Sequence, residues 1–225
     1  MSDRPLSAAR LAEQLGSLLP EAGSVPPEAF ELVAQTRALV EAVVLTAVDA
    51  PARAAAARAI GAITADLSAR HRPEPLLLVR RGERGVESLL QAGSGRLNPQ
   101  APPVEWLERR IEPDPGTGPV PSTVRARCVF GAAHAGSPSR VHGGVLALVL
   151  DEVLGTAVTV SGVSGMTVSL TVSLLAGTPI GVPVEIVARY TGHEGRKSFA
   201  TGEVLVDGEV TAEARAVFVS ERRDR

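Results

Sequence analysis

The chain of 225 residues carries 23 Lys and Arg against 25 Asp and Glu, a net charge of -2, so its totals show no footprint for nucleic acid or an anionic membrane. Its single cysteine, Cys128, excludes an internal disulfide framework and a thiolate metal cluster and fits a reducing, cytoplasmic compartment. The length allows one sizeable core plus an appendage, and Met1-Ser2-Asp3-Arg4-Pro5 has no apolar run behind it, so no secretory signal is expected.

Residues 1–72 are expected to form a helical extension. Leu6, Leu11, Leu15, Leu18 and Leu19 outline a first short amphipathic helix. Pro26-Pro27-Glu28 opens a second, apolar through Leu32, Val33, Leu39, Val40, Val43 and Val44. Asp49-Ala50-Pro51 opens a third, with Ile60, Ile63 and Leu67 on one stripe, ending near His71-Arg72-Pro73. Proline suits a first turn because the N–H it lacks would have no partner there. Two broad apolar faces imply packing on the main domain or on a second copy, and nothing in the segment carries chemistry.

The main domain is read over residues 73–225. Leu76 to Val79 and Val86 to Leu90 are short strands, and Gly93 to Pro103 is a turn-rich link whose Gly93-Ser94-Gly95 is no phosphate loop, since no Gly-Lys-Ser/Thr follows. Val104 to Ile111 and Thr123 to Phe130, joined by the Pro/Gly/Asp-rich stretch from Pro113 to Pro121, read as a hairpin with a long loop. Arg125 and Arg127 alternate with Val124, Ala126 and Cys128, so one face is wet. A loop from Gly131 to Arg140 then delivers the chain to His142.

From Gly143 to Val158 there is no proline and no turn cluster, and Val145 to Leu150 has no polar residue. The run is too long for a typical strand and too apolar for a surface helix, which predicts a buried helix with a Gly-rich first turn. The free N–H groups of that turn, with the positive end of the helix dipole behind them, suit a developing oxyanion. Asp151 lies about two turns beyond Gly143. An acid in a surface helix is ordinarily solvated, but one in so apolar a helix needs a partner or a purpose. Glu152 competes with it; consecutive helical residues point roughly 100° apart, so one of the pair faces a given site, and the spacing favours Asp151.

Beyond the helix, Met166, Val168, Leu170, Val172 and Leu174 alternate with Thr167, Ser169, Thr171 and Ser173, the period of a half-buried strand. Further strands run from Val182 to Thr191, Lys197 to Val206 and Glu209 to Val219, with turns at Gly177-Thr178-Pro179, Gly192 to Arg196 and Asp207-Gly208. Long antiparallel strands after one buried helix imply an α+β fold, a curved sheet wrapped round that helix. Val153 to Val184 is uncharged and long enough for a bilayer, yet its five glycines, nine Ser or Thr and two prolines suit buried strands and turns better than lipid. A nucleophile elbow is missing, because Gly162-Val163-Ser164-Gly165 breaks the Gly-x-Ser-x-Gly spacing. No His-x-x-x-His or cysteine pair supplies a metal site, no cofactor is implied, and His134 and His193 read as loop histidines.

His142-Gly143-Gly144, Asp151 nine residues after the histidine, Met166-Thr167-Val168-Ser169-Leu170, Gly195-Arg196-Lys197 and a closing Ala-rich strand ending in Phe218, with Asn98-Pro99 and Ala101-Pro102-Pro103 upstream, resemble the hotdog-fold acyl-CoA thioesterases of the PaaI-like branch. The resemblance covers roughly residues 96 to 220 and leaves the N-terminal helices outside it. It implies a hotdog fold, a homodimer whose sheets join edge to edge, often paired into a tetramer, and sites between subunits that take acyl-CoA. It implies Asp151 as the carboxylate that activates water or attacks the thioester, and the Gly143 N–H as the group that polarises the carbonyl from the opposite subunit. His142 then holds the turn, Thr167 assists the carboxylate, and Gly144 lies with the substrate. Arg140, Arg196 and Lys197 are candidates for the phosphates of coenzyme A, set against the ordinary reading of exposed turn cations as solvated. Two positions depart from the pattern: Gly136 and Ser137 stand where relatives carry Asn or Gln, and Leu175-Ala176 where they carry Arg and Pro. A thioester's leaving thiolate needs little proton help, so a base and an oxyanion site can suffice. The alternative is a hotdog module that binds or senses acyl-CoA without cutting it; a hydratase is weaker still.

Overall fold

The computed structural model describes residues 19–72, 78–81, 85–108, 119, 121–163 and 165–220. The expected first helix, most of the loop from Pro113 to Pro121 and Ser164 fall outside them.

Six strands form one antiparallel sheet: β3 (Glu105–Glu108), β4 (Ser122–Val129), β7 (Met166–Leu174), β8 (Pro183–Glu194), β9 (Lys197–Val206) and β10 (Glu209–Val219), in the order β3-β4-β8-β9-β10-β7. The loop expected from Gly131 to Arg140 holds a small separate pair, β5 (Ala135–Ser137) with β6 (Arg140–Val141). The helix α3 (Gly143–Val160) lies across its concave face. Leu146, Val149, Leu150, Val153, Leu154, Ala157, Val158 and Val160 are buried on α3, against Val124, Ile186, Ala200 and Phe218 of the strands. At roughly 1.5–3 kcal/mol for each large apolar side chain fully buried, this packing is the main favourable term of the fold. α3 is long and apolar enough to cross a membrane, and the sheet wrapped round it accounts for that composition. A side chain at Gly202 of β9 would sit 3.2 Å from both Leu154 Cδ2 and the Val187 carbonyl, so glycine there lets helix and sheet close. This is the expected α+β hotdog arrangement.

The hairpin of β3 and β4 forms as read, with Val124, Ala126 and Cys128 inward and Arg125 and Arg127 outward, the latter paired with Glu105 at 2.8 Å. The turn expected from Gly192 to Arg196 is shorter. β8 continues to Glu194 through a bulge at Thr191, the residue without a partner, next to Gly192 at φ 142°, and only Gly195-Arg196 turn the chain. Asp207 and Gly208 both take positive φ, 50° and 85°, the left-handed pair that closes a tight hairpin.

Cys128 is 1% exposed, and burial pushes its thiol up to about 12. The thiolate is the reactive form, so the folded chain is expected to resist a maleimide at pH 8 and to react only on unfolding. Prompt labelling without loss of the thermal transition would contradict this burial. Because the folded thiol holds its proton where the unfolded one has lost it, stability falls as pH rises from about 9 towards 12.

Of the N-terminal helices, α1 (Pro27–Leu45) packs on the other described residues and α2 (Ala50–Ser68) buries no side chain against them. Val33 of α1 joins Val79, Leu89 and Leu97 in a second small core with Phe30 at its edge, so this cluster draws on both sides of residue 72. Val79 and its neighbours belong to the separate hairpin of β1 (Leu78–Arg81) and β2 (Gly85–Ser88) and the link after it. α2 is capped by Asp49, which accepts from the Ala52 N–H at 2.9 Å, and stops at Ser68, short of His71. It buries no residue and leaves Ile63 and Leu67 more than half exposed. The expected packing of both helices therefore holds, within one chain, for α1.

Candidate active site

The acid at the middle of α3 meets the edge of the sheet. Thr167 Oγ1 donates to Asp151 Oδ1 at 2.9 Å. A bulge makes this possible. Val217 of β10 pairs with Ser169 of β7 and Phe218 with Thr167, so Val168 is an extra residue without a partner of its own. Directly opposed residues share a face: Thr167 joins Phe218 on the helix side, together with Leu170 opposite Ala216, while Met166 and Val168 are turned out, 66% and 61% exposed. The regular alternation read from the sequence, with Met166 and Val168 on the face of Leu170 and Thr167 on the other, is thus broken at Val168. One slipped residue re-aims every side chain before it, which here turns a hydroxyl towards the acid.

At the start of α3, two turns before Asp151, His142 caps the helix. Its Nδ1 accepts from the Gly144 N–H at 2.9 Å, and its carbonyl accepts from Val145 and Leu146. Among the described residues the Gly143 N–H has no acceptor, which leaves it the open donor of the first turn. Gly143 packs at the far end of β7, where an added Cβ would fall 2.7 Å from Leu174 Cδ1. Gly136 lies so close to His142 that a Cβ would meet its Cα at 2.7 Å; the departure from the family pattern at this position is what brings the two backbones together. The His142 N–H donates to the His134 carbonyl at 2.9 Å, and His134 Nδ1 accepts from the Gly131 N–H at 3.1 Å. Burial lowers the His134 pKa, against the raising pull of Glu41, which keeps that nitrogen an acceptor.

Asp151 and Thr167 open into a cleft of about 290 Å³ that runs along α3 past Gly155 and Thr156 to Thr159, roofed by β2, the link and Trp106. Both acids border this cleft, whereas the sequence reading allowed only one. Asp151 is held by Thr167 of the sheet, and Glu152 is tied to the link, accepting from Ser94 Oγ at 3.0 Å. That contact was not foreseen, since nothing near Gly93-Ser94-Gly95 marks its partner 58 residues on.

The three candidate cations are not gathered in one chain. Arg140 is exposed beside the His142 corner, next to Gly177. Lys197 pairs with Val219, and Val219 with Met166, which places the β8–β9 turn at the Thr167 end of the sheet. Arg196 there is committed to the Ser220 carbonyl through Nε, at 3.0 Å, and Nη2.

The chain is similar in structure to a thioesterase superfamily protein, with TM-score 0.69 and 26% identity over 89% of this chain and 97% of that one, an extent too long to leave out α1 and α2 altogether. Shorter likenesses are to zebra fish thioesterase superfamily member 2, TM-score 0.46 and 21% identity over 52% and 81% of the two chains. The PaaI protein of the E. coli phenylacetic acid degradation operon gives TM-score 0.45 and 14% identity over 52% and 82%. No family model and no curated protein matches the chain.

Proposed function

From the hotdog fold that this chain shares with the thioesterase superfamily, and from motifs that resemble its PaaI-like branch, we propose that the protein hydrolyses acyl-CoA thioesters as a symmetric dimer, or a pair of dimers. The observation that carries this reading is the Asp151–Thr167 hydrogen bond at 2.9 Å, on the edge strand of the sheet. Within one chain Gly143 and Asp151 lie eight residues apart on α3, about 12 Å, too far to act on one carbonyl. β7 is the outer strand of the sheet, and Met166, Val168 and Leu174 stand more than half exposed along it. Such an edge invites a second copy. A two-fold axis makes the pairing antiparallel and sets the Thr167 end of one β7 against the Leu174 end of the other. The Asp151 of one subunit then comes beside the Gly143 corner of its partner.

In that setting the Gly143 N–H donates to the carbonyl oxygen as negative charge grows on it. Asp151 takes a proton from a water molecule as the water oxygen bonds to the carbonyl carbon; Thr167 holds one carboxylate oxygen so that the other faces the water. The carbon–sulfur bond breaks, the thiolate of coenzyme A leaves and recovers the proton, and the carboxylic acid is released. Gly144, turned back onto His142 Nδ1, shapes the corner. Arg140 and Lys197, brought towards one another from opposite subunits, are the cations placed for the nucleotide phosphates. Arg196, bound to Ser220, serves the turn.

The test is release of free thiol from a panel of acyl-CoAs of increasing chain length, with turnover expected for at least one of them. Tight binding with no thiol release would instead establish the non-catalytic binding module.

A further inference from the structure

The N-terminal helix α1 reaches the loops beside both Asp151 and the Gly143 corner. Arg37 and Glu41 stand one turn apart on it, and each holds a loop of the main domain. Arg37 Nη2 donates to the carbonyls of Gly95 and Asn98, at 3.3 and 2.9 Å. That turn carries Ser94, the donor to Glu152 beside Asp151. Glu41 accepts through Oε1 from the Ala132 N–H at 2.8 Å and through Oε2 from the Ala133 N–H at 3.2 Å. Gly131 leaves room for that carboxylate: a Cβ there would lie 2.7 Å from Oε2. From this loop the chain of bonds continues through the His134 carbonyl to the His142 N–H, and through His142 Nδ1 to the Gly144 N–H.

We propose that α1 is part of the active-site scaffold, and that Glu41 is a positioning residue for the Gly143 corner. Two backbone donors at the start of a short turn would otherwise point at water, and the loop that carries the His134 carbonyl would be free to shift. Charge-assisted hydrogen bonds to both fix it. The oxyanion donor must be placed within fractions of an ångström, so a loop that drifts weakens catalysis while leaving the core intact. The catalytic part of this inference rests on the thioesterase reading; the structural part does not.

The experiment uses the full chain with Glu41→Ala, Glu41→Gln and, as control, Glu31→Ala at an exposed acid of the same helix. Amide hydrogen exchange in the peptide spanning residues 141–146 is expected to rise about tenfold in Glu41→Ala and to stay unchanged in the control. Glu41→Gln keeps one acceptor oxygen and is expected to fall between, and it decides the question if Glu41→Ala does not fold. Thiol release is expected to lose kcat by a similar factor, with KM little changed. Unchanged exchange and unchanged kcat in both Glu41 variants would overturn the proposal. If the native chain releases no thiol while exchange still rises, the brace stands and the hydrolytic reading alone fails.

Discussion

Asp151→Asn is expected to lower thiol release by about 10²–10⁴-fold, the usual contribution of a positioned general base, while the chain folds and assembles as before. The amide has the shape of the carboxylate, and its oxygen still accepts the Thr167 hydrogen bond. What disappears is the basic oxygen that receives the water proton. Melting temperature and solution mass should match the native protein. Turnover near the native rate would remove Asp151 from the chemistry, and a collapse of the fold would show a structural task instead.

Gly143→Pro is expected to cost about 10²–10³-fold in kcat by deleting a single hydrogen-bond donor. Few backbone donors can be removed so cleanly. Gly143 is the first residue of α3, where proline is tolerated because no helical carbonyl awaits its N–H. His142 before it is already extended, φ -65° and ψ 133°, the conformation a following proline prefers. The ring meets Leu174, whose exposed side chain can turn aside. Gly143→Ala is the control: it meets Leu174 in the same way but keeps the N–H, so it should retain most activity. Equal losses in both variants would attribute the effect to crowding.

The fold was largely legible because its signals are local. The unbroken apolar run after Gly143 marks a helix that must be covered on every side, and Asp207-Gly208 marks a turn whose φ values few other pairs adopt. Asp151 and the Gly143 corner were legible for the same reason: an acid and bare amides in so apolar a setting demand a role. The bulge at Val168 was not, because apolar and hydroxyl residues alternate through it without interruption. Only pairing with β10 decides which face Thr167 takes. Glu41 was hidden likewise. On α1 it reads as one more solvated acid, and the amides it holds are 91 and 92 residues away. Gly192 misled in the other direction, since a glycine that looks like a turn sits within a bulged strand.

Each site, in this account, joins the carboxylate of one copy to the amide of the other, and a mixed dimer reports on that directly. Subunits carrying Asp151→Asn and Gly143→Pro, co-expressed with different tags and purified through both, combine one intact site with one doubly damaged site. The expected activity is about half that of the native dimer, from two parents that are each nearly inactive. A mixed dimer no more active than its parents would place both groups in the same subunit's site and contradict the shared architecture.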